Sequence, residues 1–127
     1  MDPADVVAIH QLYGLYGHVM DDRDWARLAD LFTEDCVFDA TALGVPMMSG
    51  RDAIALATES SPATPLGHHV TNVYVSAIDD DMATVRAKAI GTYSRGRAFS
   101  GVYEDRLVRT AGGWRIAHRL NKPARER

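Results

Sequence analysis

The second half of this chain alternates strand-length runs with tight turns, and no other feature restricts its fold as strongly. Residues 68–78 form the first long run, and Asp79-Asp80-Asp81 turns the chain back into residues 82–94. Arg95-Gly96-Arg97 leads into residues 98–110, and Ala111-Gly112-Gly113 leads into residues 114–120. Runs joined by such short turns fold as consecutive hairpins, so the sheet is expected to be largely antiparallel. Pro123 and the charged tail Ala124-Arg125-Glu126-Arg127 are expected to fray beyond it.

The first half has a different period. Asp2 followed by Pro3 is an N-cap with proline in the first turn. Val6, Ile9, Leu12, Tyr13, Tyr16 and Val19 then recur at steps of three and four, one apolar stripe on a helix of about five turns. Gly14 and Gly17 weaken this helix and permit close backbone approach. After the charged link Asp21-Asp22-Arg23, a second helix is predicted over residues 24–32, with Trp25, Leu28, Leu31 and Phe32 inward and Thr33-Glu34-Asp35 as its stop. Residues 36–42 read as a strand with Cys36, Phe38 and Ala40 on one face and Val37, Asp39 and Thr41 on the other. Residues 43–48 read as a loop. Ser49-Gly50-Arg51-Asp52 resembles a cap with Asp52 as its acid, opening a third helix that carries Ile54, Leu56 and Ala57. Pro62 and Pro65 lie outside that helix.

Helices first and a strand meander second give an α+β domain, its three N-terminal helices packed on one face of a curved sheet. Long strands twist and curl, and a curled sheet with helices over its concave side makes a cone with an apolar interior. On the run from residue 82, Ala83, Val85, Ala87, Ala89 and Gly91 share the inner face. Such small side chains leave room for a helix or for a ligand. At 127 residues and 46% hydrophobic, the chain is expected to be one domain over residues 1–127, with a core that needs no staple. The lone Cys36 excludes an internal disulfide and reads as a small buried strand residue. No H-E-x-x-H or C-x-x-C spacing occurs, so no metal site is expected. The start Met1-Asp2-Pro3 has neither a basic leader nor an apolar region, and no run approaches the roughly 20 apolar residues of a membrane span. A soluble cytoplasmic protein with no membrane partner is expected. A net charge of -3 argues against a polyanion partner. The arginines of the last third lack an aromatic stacking platform, so they read as a solvated face and not as a nucleic-acid site.

The chemistry concentrates on Asp21, at the end of the first helix, and His68, at the start of the first long strand. A carboxylate holding one imidazole nitrogen leaves the other free as a base, and a free imidazole already titrates near neutral pH. His69 points to the opposite face of a regular strand; His68 is expected to be the inward one, with His69 as the alternative. Asn72 shares the parity of His68 and can orient a polar ligand group, and Tyr103 can do so from a neighbouring strand. Trp25, Phe38, Met47, Met48 and Val70 are candidates for an apolar lining, with core packing as their alternative role. His118 is a looser candidate, and His10 and His18 read as surface residues of the first helix.

The chain resembles the SnoaL-like branch of the nuclear transport factor 2-like superfamily. The resemblance rests on Leu12-x-x-x-Tyr16, Asp21-Asp22-Arg23-Asp24-Trp25, Leu31-Phe32-Thr33-Glu34-Asp35 and Ser49-Gly50-Arg51-Asp52-Ala53-Ile54. It continues through His68-His69-Val70-Thr71-Asn72, Gly101-x-Tyr103-Glu104-Asp105 and Gly112-Gly113-Trp114-Arg115-Ile116. The resemblance implies a cone-shaped α+β barrel, commonly a homodimer through the open sheet face, with small apolar or aromatic ligands. Its members include polyketide cyclases, scytalone dehydratase, ketosteroid isomerase, dehydrochlorinases, epoxide hydrolases and non-catalytic subunits. Asp21 and His68 fall at the dyad of the dehydratase and dehydrochlorinase branches. Met20 and Ala40 stand where the dehydratase has tyrosines, and residues 70–117 hold no second histidine, which argues against that reaction. Tyr16 falls near the oxyanion tyrosine of ketosteroid isomerase and Asp105 near its proton-sharing acid. The alternatives are a helix-core tyrosine and an ion pair with a nearby arginine. The isomerase base position lands on Ala40, one residue past Asp39, and a one-residue slip on a strand reverses the face.

The expected function is therefore a cofactor-independent acid–base enzyme, of isomerase, lyase or cyclase type, on a small hydrophobic molecule. A ligand-binding module without chemistry, or an assembly subunit, is the alternative.

Overall fold

The computed structural model describes residues 1–125. Helix α1 (Pro3–Asp22) starts as its sequence predicts, with Asp2 Oδ1 accepting the Ala4 N–H at 2.9 Å. It stops at Arg23, whose left-handed backbone (φ 57°) turns its N–H back onto the Met20 carbonyl. Ile9, Leu12, Tyr13, Tyr16 and Val19 are all buried, as their spacing requires.

Where a second helix was expected, a 3₁₀ segment covers Trp25–Asp30, and strand β1 (Phe32–Asp39) begins at once. Thr33-Glu34-Asp35 lie within this strand and do not serve as a helix stop. Long-range pairing decides the matter: the Ile116 N–H bonds to the Leu31 carbonyl at 2.8 Å, and Phe32 pairs with Ile116. Cys36, Phe38 and Ala40 share a buried face, as predicted. A short strand β2 (Met48–Ser49) pairs with Val37 and Phe38 at the end of the stretch read as loop. Helix α2 (Arg51–Ser60) follows. Gly50 (φ 87°) holds its N-cap position, and no side chain caps it.

Strands β3 (Gly67–Ile78), β4 (Met82–Thr92), β5 (Ala98–Thr110) and β6 (Gly113–Pro123) complete a curved, unclosed sheet of order β2-β1-β6-β5-β4-β3. Every neighbouring pair is antiparallel except β1 with β6. Strand β6 runs beyond residue 120 to Pro123, and the Ala124 N–H reaches the Ser100 carbonyl at 3.0 Å, so Pro123 and Ala124 are held and do not fray. Glu126 and Arg127 lie outside the described residues. The row of small residues on β4 serves two ends: Ala83, Val85 and Ala87 are packed into the core, whereas Ala89 and Gly91 line a cavity. Among the described residues no helix is long and apolar enough to cross a membrane.

The start of α1 is clamped to the β5–β6 hairpin. Asp5 accepts two hydrogen bonds from Arg109, at 3.0 and 2.8 Å, and one from Trp114 Nε1 at 3.2 Å, while the Arg109 guanidinium stacks over the Trp114 ring. The side-chain hydrogen bonds from Arg109 and Trp114 hold the Asp5 carboxyl below its usual range. A lowered folded-state pKa stabilises above the unfolded value, about 3.9, and that stabilisation is lost as pH falls through the lowered value. Asp5→Asn is therefore expected to lower stability at pH 6 and to flatten its decline below pH 4. Urea unfolding across that pH range checks this, and an unchanged slope would exclude the clamp as an acid-labile element.

Candidate active site

The two groups singled out at the helix end and strand start meet. His68 Nδ1 lies 2.7 Å from Asp21 Oδ1, and the same carboxylate accepts the His68 main-chain N–H at 3.0 and 3.1 Å. The carboxylate accepts only, so Nδ1 carries the proton and Nε2 presents its lone pair. The side chains are 12% and 30% exposed, so the histidine is the more enclosed partner. Its ring stands perpendicular to Tyr16, centroids 6.1 Å apart.

Gly17 makes this contact possible. A Cβ there would sit 2.5 Å from the His68 carbonyl oxygen, whereas Gly14 has open space around it. One helical turn after that close approach, Asp21 reaches the strand. Gly17→Ala must push α1 away from β3, main chain against main chain. We expect a loss of about 1–3 kcal/mol and disappearance of the hydrogen-bonded Nδ1–H proton resonance. An intact resonance would show that the helix can approach β3 without glycine.

Between α1, α2 and the sheet lies a cavity of about 180 Å³. Its enclosed end is walled by Tyr16, Met20, Phe38, Ala40, Ile54 and Tyr103, all buried. Its open side is rimmed by Ser61, Ala63 and the half-exposed Phe99. His68 lies on the wall, and the Tyr16 and Tyr103 hydroxyls approach each other to 3.4 Å at the enclosed end.

The SnoaL-like domain model matches residues 2–120. This chain belongs to the SnoaL-like family. The superfamily is the nuclear transport factor 2-like one, and the family includes cofactor-independent isomerases, dehydratases and cyclases. A candidate aromatic ring hydroxylase from Novosphingobium aromaticivorans is 28% identical, over 99% of this chain and 93% of its own, with a TM-score of 0.82. A protein of unknown function from Mycobacterium tuberculosis is 27% identical, over 98% of this chain and 79% of its own, with a TM-score of 0.85. A candidate scytalone dehydratase from Novosphingobium aromaticivorans is 26% identical, over 98% of this chain and 90% of its own, with a TM-score of 0.72. Among curated proteins none matches significantly.

In this SnoaL-like chain Tyr16, Phe38, His68 and Tyr103 line the cavity, and Asp21 stands behind His68. Of the other candidates named from sequence, Met48 also lines the cavity and His69 touches its rim, whereas Trp25, Met47, Val70, Asn72, Asp105 and His118 do not line it. Trp25 packs partly on the core and donates its indole N–H to Glu59 at 2.9 Å. Met47 is 53% exposed, and its neighbour Met48 takes the lining position because β2 pairing sets that parity. Val70 packs against the core. Asn72 is exposed: its backbone is left-handed (φ 52°) and the β3–β4 register shifts between Thr71 and Tyr74, so alternation from His68 does not carry across. His69 is exposed and reaches only the cavity rim. His118, half-buried, does not line the cavity.

Asp105 is buried in an ion pair. It accepts Arg119 Nε at 3.0 and 3.2 Å and Nη2 at 2.8 Å, and it also accepts the Tyr13 hydroxyl. Both charged side chains are fully buried. Arg119 and Asn121, which lines the cavity, were not named from sequence. Arg119 stood in an arginine-rich stretch that read as solvated. The β5–β6 register shifts between Arg106 and Leu107, which turns Arg119 onto the inner face that Ile116 occupies. Its cross-strand partner, Asp105, was the one available signal.

Proposed function

We propose that this SnoaL-like protein is a cofactor-independent acid–base enzyme that moves a proton on a small, one-ring hydrophobic substrate. The 2.7 Å contact of His68 Nδ1 with Asp21 carries this reading, because it leaves Nε2 as a base on a cavity wall. Nε2 takes a proton from a carbon next to a carbonyl, and the bonding pair moves onto the carbonyl oxygen. Asp21 stabilises the imidazolium formed. The Tyr16 and Tyr103 hydroxyls donate to the oxygen that gains charge. Return of the proton to another carbon isomerises the substrate, and departure of a leaving group from the next carbon gives elimination. A dry cavity of about 150 Å³ holds benzene, so the 180 Å³ here suits a single ring.

One observation favours a second reading, a ligand-binding module. Asp21 also accepts the His68 main-chain N–H, a contact that a purely structural brace would use. Deuterium incorporation from D₂O into acetophenone, followed by NMR, separates the two. The enzyme exchanges the α-protons and the His68→Ala protein does not. Exchange retained in His68→Ala would remove the dyad from the mechanism, and binding without exchange in the wild type would leave the module.

A further inference from the structure

Arg119 is fully buried, yet it lies deep among aromatic rings where a neutral side chain would pack at lower desolvation cost. Its guanidinium carbon is 3.7 Å from the Tyr103 ring centroid and 4.5 Å from that of Tyr16. Phe38, Tyr13 and Phe32 surround it at 5.6, 5.7 and 5.8 Å. The Nε–Nη2 edge is taken by Asp105, while Nη1, at the other edge, has no hydrogen-bond partner. Asp105 in turn is occupied by Tyr13, which does not line the cavity. The charges are therefore ordered: carboxylate toward Tyr13, guanidinium against Tyr103 and Tyr16, and then the cavity those two rings wall.

We infer that the Arg119–Asp105 pair is an oriented dipole whose positive end, acting through the Tyr16 and Tyr103 rings, makes the enclosed end of the cavity a seat for an oxygen bearing negative charge. The substrate class is then a one-ring phenol or an enolisable one-ring ketone, bound with its oxygen at the two hydroxyls. The inference rests on the cavity being the substrate site. Arg119 does not line the cavity, so it is a positioning residue and not a catalytic one. Two effects act in the same direction. A cation over a phenol ring withdraws electron density and strengthens its hydroxyl as a donor, and the field of a buried charge is weakly screened. Asp105 outweighs the desolvation of Arg119 and holds its charge firmly, with its pKa well above the ordinary range. Burial, with Tyr16 beside it, pushes the Tyr103 phenol well above its usual range against the pull of Arg119, so the group stays a proton donor.

The probe is 4-nitrophenol, whose absorbance reports its ionisation when bound. The wild type is expected to bind the phenolate in preference to the phenol, so the bound probe titrates at a lower pH than in solution. Arg119→Met combined with Asp105→Asn removes both charges together, a change that a buried pair tolerates better than loss of one partner. It is expected to raise the midpoint of the bound probe by at least one pH unit, a tenfold loss of phenolate preference. Asp105→Asn alone strips the negative end and is expected to shift the midpoint the opposite way, while Arg119→Lys keeps the wild-type sign. A purely packing role moves the midpoint in none of them. A midpoint unchanged in the double variant, or shifted the same way by Asp105→Asn, overturns the inference while the dyad remains to be judged by deuterium exchange. A cavity that takes up no 4-nitrophenol overturns it as well.

Discussion

The His68→Ala protein is expected to exchange the α-protons of a one-ring ketone about 10²–10⁴-fold more slowly than the wild type, the usual contribution of a positioned general base. Its fold should persist. The Asp21 carboxylate accepts the main-chain N–H of residue 68 as well as the imidazole, and alanine keeps the N–H. The variant should therefore unfold within about 1 kcal/mol of the wild type, whereas Asp21→Ala loses both contacts and should cost stability together with exchange. Thermal unfolding run beside the exchange assay separates the two substitutions. A His68→Ala protein that loses stability as far as Asp21→Ala does would identify the contact as a brace.

Arg119→Met is expected to be strongly destabilising. It leaves the Asp105 carboxylate buried with only the Tyr13 hydroxyl as donor, and removing one partner of a buried pair typically costs about 3–5 kcal/mol. It also takes away the cation that five ring systems enclose. Adding Asp105→Asn should recover much of that loss, because the stranded charge disappears while an amide can still meet Tyr13. Urea denaturation of the two singles and the double closes a thermodynamic cycle. A coupling near zero would mean that the two charges do not depend on one another inside the protein.

The parts of this molecule that obey a local period were legible in its residues. The α1 stripe, the inner row of β4 and the buried face of β1 follow spacings of 3.6 and 2, and those spacings survive folding. Asp21 and His68 were legible for a different reason: an acid at a helix end and an imidazole at a strand start need only one close crossing to meet, and Gly17 marks that crossing. What was illegible depends on partners far along the chain. Trp25-Ala26-Arg27-Leu28 has a helical pattern, but the pairing of Phe32 with Ile116 leaves only a 3₁₀ segment before the chain extends. Asn72 and Arg119 were misplaced for related reasons: Asn72 lies inside an irregularity of the β3–β4 pairing, and the arginine-rich stretch that read as solvated is turned inward at Arg119 by an irregularity of the β5–β6 pairing.

The parallel seating of β1 against β6 has a consequence for biosynthesis. The first strand to leave the ribosome finds its long-range neighbour in the last, and the sheet stays split until residues 113–123 emerge. Arg119 arrives with β6, so the aromatic nest waits empty until that strand is made. A nascent chain halted at residue 112 would hold Asp21 and His68 yet lack the wedge that joins the two parts of the sheet. It should be a target for chaperones and proteases, and release of the last strand should act as the latch that ends that vulnerability.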